Sequence, residues 1–259
     1  MKLYKDYAIL ASGQVLARLL GLLAFGWLAR ALDPEAYGAV EYMIGLALLG
    51  GYVVDGGSNL IGVRHAGQGQ GELSRLAAQM VLARLLLCAL GVPFVAAVGL
   101  WTIGSAVPKS LVWLFASSLL LAPWRHEWMF QAVGRNADIA RAQIVRAGVF
   151  AALIWLWVES PADVADAGLA EIVSVAALTA YCIYVQFARI APLRWNGVLE
   201  GFAPFLQESA VAGLTNALWA ASQYAPLLMI GALVGGVQTA WFAAAARVVG
   251  ALLVVPYIY

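Results

Sequence analysis

The sequence predicts an all-α protein: a polytopic bundle of transmembrane helices with about eight spans and a cytoplasmic N-terminus. Three observations carry that prediction. Of 259 residues, 63% are apolar and only 11% charged, against roughly 45–50% and ~25% in soluble domains. A water-soluble domain must cover itself with polar side chains, and this composition cannot. Apolar runs of about 20 residues, long enough to cross roughly 30 Å of hydrocarbon, recur along the chain. The loops between them hold their Lys and Arg unequally. A net charge of +1 leaves no basic face for nucleic acid. Cys88 and Cys182 both lie in apolar stretches, which excludes a disulfide scaffold.

The first span, Tyr7 to Ala29, is too long for the ~7–15-residue core of a signal peptide, so it reads as a retained helix. The turn Arg30–Glu35, with Asp33-Pro34, leads to the second span, Tyr37 to about Leu60. Gly45, Gly50, Gly51, Gly56 and Gly57 crowd that span and serve either bending or close helix packing. Gly67 to Gly71 alternates Gly and Gln and reads as a connector. The third span is about Arg75 to Trp101 and the fourth about Leu111 to Phe130, with Arg125-His126-Glu127 as a polar cap. The fifth, Gln143 to Val158, is short; the sixth is Val164 to Phe187. The seventh runs from Leu206 to Val234 and the eighth from Gln238 to Tyr259. The expected organisation is a six-helix bundle over residues 1–190, a cytoplasmic linker over 191–205, and the first two helices of an incomplete second bundle over 206–259. The last residues, Val255 to Tyr259, are still apolar, which reads as a partial chain.

Loop charges set the orientation. One side holds Lys2, Lys5, Arg64, Arg75, Arg135, Arg141, Arg189 and Arg194; the other holds Arg30 and Lys109 with Glu159, Asp163 and Asp166. The positive-inside rule puts the first side, and the N-terminus, in the cytoplasm. Trp101, Trp113, Trp155, Trp157 and Trp241 then fall near the extracytoplasmic ends, as interface anchors do.

Arg18, Arg84, Arg146 and Arg247 remain inside apolar spans, and Arg125 sits near a membrane edge, where it can snorkel. A centred arginine costs roughly 2.5–3.5 kcal/mol on insertion scales, so each needs a partner or a wet cavity. Glu41 and Asp55 in the second span are candidate partners. Two readings stand at this point. In one, these groups form structural ion pairs or snorkel to headgroups. In the other, Arg18, Arg84, Arg146 and Arg247 line a cationic cavity for an anionic substrate, because the guanidinium fork donates two hydrogen bonds to a phosphate and stays charged. Enzymatic chemistry is not expected. His65 and His126 are the two histidines, no His-Glu-x-x-His is present, and Glu41 and Asp55 lie nearly four turns apart. No metal or other cofactor is expected.

Three stretches resemble the polysaccharide-repeat (O-antigen and teichoic acid) flippases of the multidrug/oligosaccharidyl-lipid/polysaccharide exporter superfamily. Gly21 to Gly38, with Asp33-Pro34-Glu35-Ala36-Tyr37-Gly38, is similar to that family's first span and following turn. Val54-Asp55-Gly56-Gly57-Ser58-Asn59, then Arg64, resembles the end of its second span, with His65 where an acidic residue is more usual. Trp128 to Arg135 resembles the aromatic stretch closing its fourth span. The resemblance implies flipping of polyprenyl-diphosphate-linked oligosaccharides across the cytoplasmic membrane by alternating access. Arg18, Arg84 and Arg146 would attract the diphosphate and an acidic or polar sugar, Arg247 would line the same cavity, and Glu41 or Asp55 would hold an arginine or carry a coupling proton. Expected partners are the lipid-linked oligosaccharide, membrane lipids, and a polysaccharide polymerase or glycosyltransferases. A drug or metabolite antiporter of the same superfamily, and a non-transporting scaffold for polysaccharide-assembly enzymes, are the alternatives.

Overall fold

The computed structural model describes residues 2–68, 72–104 and 107–252, and among them every regular element is helical. The helices are α1 (Lys2–Ala31), α2 (Pro34–Asp55), α3 (Ser58–Gly67), α4 (Leu73–Thr102), α5 (Lys109–Ser118), α6 (Glu127–Ala132), α7 (Asn136–Trp157), α8 (Val164–Arg189), α9 (Phe202–Leu233) and α10 (Gly236–Leu252). Length and apolarity make five segments able to cross a membrane, Ala11–Ala31, Pro34–Asp55, Leu73–Thr102, Asn136–Trp157 and Pro161–Arg189. The chain is thus a multi-pass helical membrane bundle. The Gly69–Gly71 part of the expected connector and the apolar end at Val255–Tyr259 lie outside the described residues.

α2 is the central post, packed against α4, α9 and α10. Its N-terminus is fixed by Asp33, whose carboxylate accepts from the Ala36 N–H at 2.8 Å, and by Pro34 at the first helical turn. α1 stands against α7 instead. Phe25 and Phe150 meet there at 5.6 Å, and the Trp27 indole donates to Val158 O at 2.8 Å. The largest core cluster, with Leu28, Met43, Leu46, Leu111, Phe115 and Ile154, fills the space around α2. A second, with Met80, Trp128, Met129 and Phe205, lies at the end bearing the basic loops. Trp101, Trp113, Trp155, Trp157 and Trp241 are all exposed on the bundle surface.

Three spans depart from the sequence reading. The second does not run on to Leu60: α2 stops at Asp55, and Gly56 and Gly57 take left-handed φ of 52° and 75° before α3 begins. A glycine pair is what such a reversal needs. Gly45 and Gly50 serve packing, with Leu227 and Val95 lying where their side chains would be. The fourth span is likewise not continuous. α5 ends at Ser118, a 3-10 turn covers Leu119–Trp124, and extended residues precede α6. The causes are local: Pro123 has no N–H to give, and the Ser117 and Ser118 hydroxyls donate to backbone carbonyls a turn back. The fifth span is not short. α7 starts at Asn136 because Asp138 accepts from Arg135, Arg141 and the Tyr181 hydroxyl, which stabilises a polar first turn. Arg146 therefore lies mid-helix and does not open the span.

The second-half helices meet the first half through bare backbone. A methyl group on Gly38 would lie 1.9 Å from Gly236 O, and one on Gly57 would lie 2.3 Å from Gly213 N. The preceding segment is anchored to α4: Arg194 pairs with Glu72 at 2.7 Å, and Gln79 donates to Val198 O and Glu200 O. α9 begins at Phe202, inside the stretch expected as linker.

Candidate functional site: a polar cavity inside the bundle

A cavity of about 710 Å3 opens between α1, α2, α4, α7, α8 and α10. Its lining runs from Gln14 to Phe25 on α1, from Ile44 to Asp55 on α2 and from Ile139 to Phe150 on α7, so it lies around the middle of the bundle. Phe25, Ile44, Leu48, Leu119, Ala147 and Phe150 supply apolar wall. Arg18, Arg84, Arg146 and Arg247 all line it, brought together from four helices, and Asp55 lines it too. Glu41 does not; it is 3% exposed and lies behind Arg247. Arg125, which the sequence placed at a membrane edge, lines the same space with Glu127, Gln143 and Glu171.

Arg84 is 2% exposed and spends its guanidinium on the protein. Nε donates to the Ser58 hydroxyl at 3.0 Å; Nη2 donates to Asp55 at 2.6 Å and Asn59 at 2.9 Å; Nη1 donates to Arg125 O at 2.9 Å and Ala122 O at 3.4 Å. All five N–H donors of an arginine are thereby used. The acceptors come from both helix breaks, after α2 and before α6. Broken backbone at membrane depth persists only where protein or a wet cavity satisfies its polar groups; Arg84 does this for Ala122 O and Arg125 O at the second break and ties them to the side chains that flank the first.

The other arginines are partly committed. Arg247 holds Glu41 with Nε at 2.5 Å and Nη2 at 2.6 Å, its guanidinium carbon lies 3.2 Å from the Phe25 ring centroid, and the Tyr37 hydroxyl donates to the same carboxylate at 2.7 Å. This pair joins α10 to α2 and α1. Arg146 Nη2 donates to Glu171 at 2.6 Å, and Arg125 Nη2 to Glu127 at 3.0 Å. Arg18 is exposed in the bundle and has no ion-pair partner among the described residues. Four of the five arginines in the wall carry a carboxylate partner. Glu41 and Asp55 are two of those partners. Glu127 and Glu171 are the others, and the sequence reading missed them as site residues. Arg125-His126-Glu127 is not a simple cap either. His126 is buried and its Nδ1 is hydrogen-bonded to Gln186 of α8, while its flanking residues face the cavity.

The polysaccharide biosynthesis protein family matches residues 3–257. No protein of curated function matches. Among solved structures, a chain named protein A is similar with a TM-score of 0.76 at 12% identity, over 97% of this chain and 61% of that one. A MOP superfamily transporter from Pyrococcus furiosus, described with a binding pocket of reverse polarity, is similar with a TM-score of 0.56 at 14% identity, over 95% and 65%. A MATE protein in complex with Br-NRF gives 0.55 at 14% identity, over 96% and 69%. The chain thus spans about three-fifths to two-thirds of the solved chains it resembles. A family match over nearly the whole sequence, on a shared helical fold, makes this chain a member of the polysaccharide biosynthesis protein family.

Proposed function

We propose that the protein moves polyprenyl-diphosphate-linked oligosaccharides across the cytoplasmic membrane by alternating access, as a flippase for polysaccharide export. One observation carries the reading: a polar cavity with an arginine, Arg18, that has no ion-pair partner among the described residues lies inside an otherwise apolar bundle of this family. Its apolar flank suits a lipid-linked substrate, and its arginines suit a diphosphate. With the basic loops cytoplasmic, the arginine-bearing cavity lies around the middle of the membrane, where rocking of the helices can open it to either side. Arg18 is the first ligand of the diphosphate, and Arg247, tied to Glu41, couples the occupant to the second half. Membrane lipids surround the bundle, and polymerase or glycosyltransferase partners fit the same pathway position. Antiport of a cationic drug fits less well, because Asp55, Glu127 and Glu171 are each engaged by an arginine.

The test is protein in liposomes with a fluorescent short-chain polyprenyl-diphosphate disaccharide, read by loss of signal to a membrane-impermeant quencher. Protein-dependent access to the far leaflet is expected, and Arg18→Ala should abolish it while leaving folding intact. Normal flipping by that variant would remove Arg18 from the mechanism.

A further inference from the structure

We propose that the wall made by Arg125, Glu127, Gln143, Arg146 and Glu171 binds the sugar of the cargo through its hydroxyls and selects uncharged sugars over acidic ones, an inference that rests on the flippase reading. These residues come from the break before α6, from α7 and from α8, and they line one side of the cavity. Glu127 accepts from Arg125 Nη2 at 3.0 Å on one oxygen and from Gln143 Nε2 at 2.6 Å on the other. Glu171 accepts from Arg146 Nη2 at 2.6 Å on one oxygen. The contacts stop there. Nη1 of Arg125 and Nη1 of Arg146 have no acceptor among the described residues, and both side chains are about a third exposed, whereas their Nε atoms are enclosed and out of reach of the cavity. The second Glu171 oxygen and the Gln143 carbonyl have no donor among the described residues.

The wall thus alternates unused donors with unused acceptors. A sugar hydroxyl is one donor and two acceptors, so neighbouring hydroxyls can serve a guanidinium and a carboxylate together. A sugar carboxylate only accepts. It would satisfy an arginine while lying against Glu127 or Glu171, a like-charge contact in a partly enclosed site. Both arginines here are already neutralised, so no net positive charge offsets that repulsion. Arg18, on α1, is left for the diphosphate, with Arg247 of α10 beside it but held by Glu41. Glu171 is the selecting residue: its side chain is 12% exposed and one of its oxygens is unused.

The experiment uses the full chain in nanodiscs, with tryptophan fluorescence reporting the binding of three probes. The probes are farnesyl diphosphate, farnesyl diphosphate carrying an N-acetylglucosamine disaccharide, and the same lipid with glucuronic acid as its second sugar. The neutral ligand should bind at least about tenfold more tightly than the acidic one, and Glu171→Gln should narrow that ratio several-fold. Gln143→Leu, which leaves both ion pairs in place, should weaken the neutral ligand several-fold more than the bare lipid. Equal affinity for the two sugars, or a preference for the acidic one, overturns the inference while the flippase reading stands. Failure of all three lipids to bind overturns both.

Discussion

Replacing Arg84 by alanine removes the guanidinium that closes both breaks in the bundle. Five hydrogen bonds go with it, to Ser58, Asp55, Asn59, Ala122 O and Arg125 O. Counted singly at ~1 kcal/mol each, they suggest about 5 kcal/mol. Counted as a buried ion pair losing one partner, the cost is about 3–5 kcal/mol. These describe the same atoms and do not add, so about 3–5 kcal/mol is the expected loss. At ~2–4 °C per kcal/mol for a chain of this size, the unfolding midpoint in detergent should fall by about 6–20 °C. Differential scanning fluorimetry on the intrinsic tryptophans reads this directly. Arg84→Lys should recover only a minor part, since an ammonium has three donors and no fork. Arg146→Ala is the comparison: its side chain is 34% exposed, so the loss should be clearly smaller. An Arg84→Ala variant melting within about 2 °C of the parent would refute the clamp. If that variant also lost cargo binding, Arg84 would be a cargo ligand instead.

Other substitutions test the contacts between halves. Gly38→Ala places a methyl 1.9 Å from Gly236 O, and backbone cannot yield as a side chain does; the cost should reach or exceed the ~1–3 kcal/mol of ordinary overpacking, seen as a lower midpoint. Gly26→Ala meets nothing within 4 Å inside the C-terminal part of α1, so it should raise stability by about 0.5–1 kcal/mol through helix propensity alone. Glu41→Gln and Arg247→Gln should each destabilise, and the double variant should cost less than their sum, with a coupling of about 0.5–3 kcal/mol in a double-mutant cycle. Strict additivity would mean the two side chains do not meet.

The long, uniformly apolar helices were legible because length against bilayer thickness is a strong signal. The third span was read as Arg75 to Trp101 and the sixth as Val164 to Phe187; the structure has Leu73–Thr102 and Val164–Arg189. The breaks were not legible. Gly56-Gly57 and Pro123 mark them in the sequence, but each lies within an apolar run of spanning length, and the reversal at Gly56-Gly57 is fixed by where Arg84 and α9 lie. The start of α7 was missed because Asn136 to Arg141 reads as polar loop until Tyr181, far along the chain, is seen to meet Asp138. Within the site, the rule that an acid or base inside an apolar span needs a partner found Arg18, Arg84, Arg146, Arg247, Glu41 and Asp55. The same rule applies to Glu171, which lies two turns inside α8, close after the loop acids Asp163 and Asp166. Pairing itself is a tertiary fact that no helical spacing encodes: Glu41 and Arg247 are 206 residues apart.

That separation has a cost during synthesis. Chains emerge from the ribosome at ~5–20 residues per second, so Glu41 precedes Arg247 by about 10–40 s. Asp55 waits only 29 residues for Arg84, and Arg146 only 25 for Glu171, a few seconds at ~5–20 residues per second. For most of its assembly α2 therefore carries a carboxylate whose partner at hand, among the described residues, is the Tyr37 hydroxyl one turn away. Glu41 is thus the last of these carboxylates to gain its arginine, and α2 takes its final place only once α10 has been made.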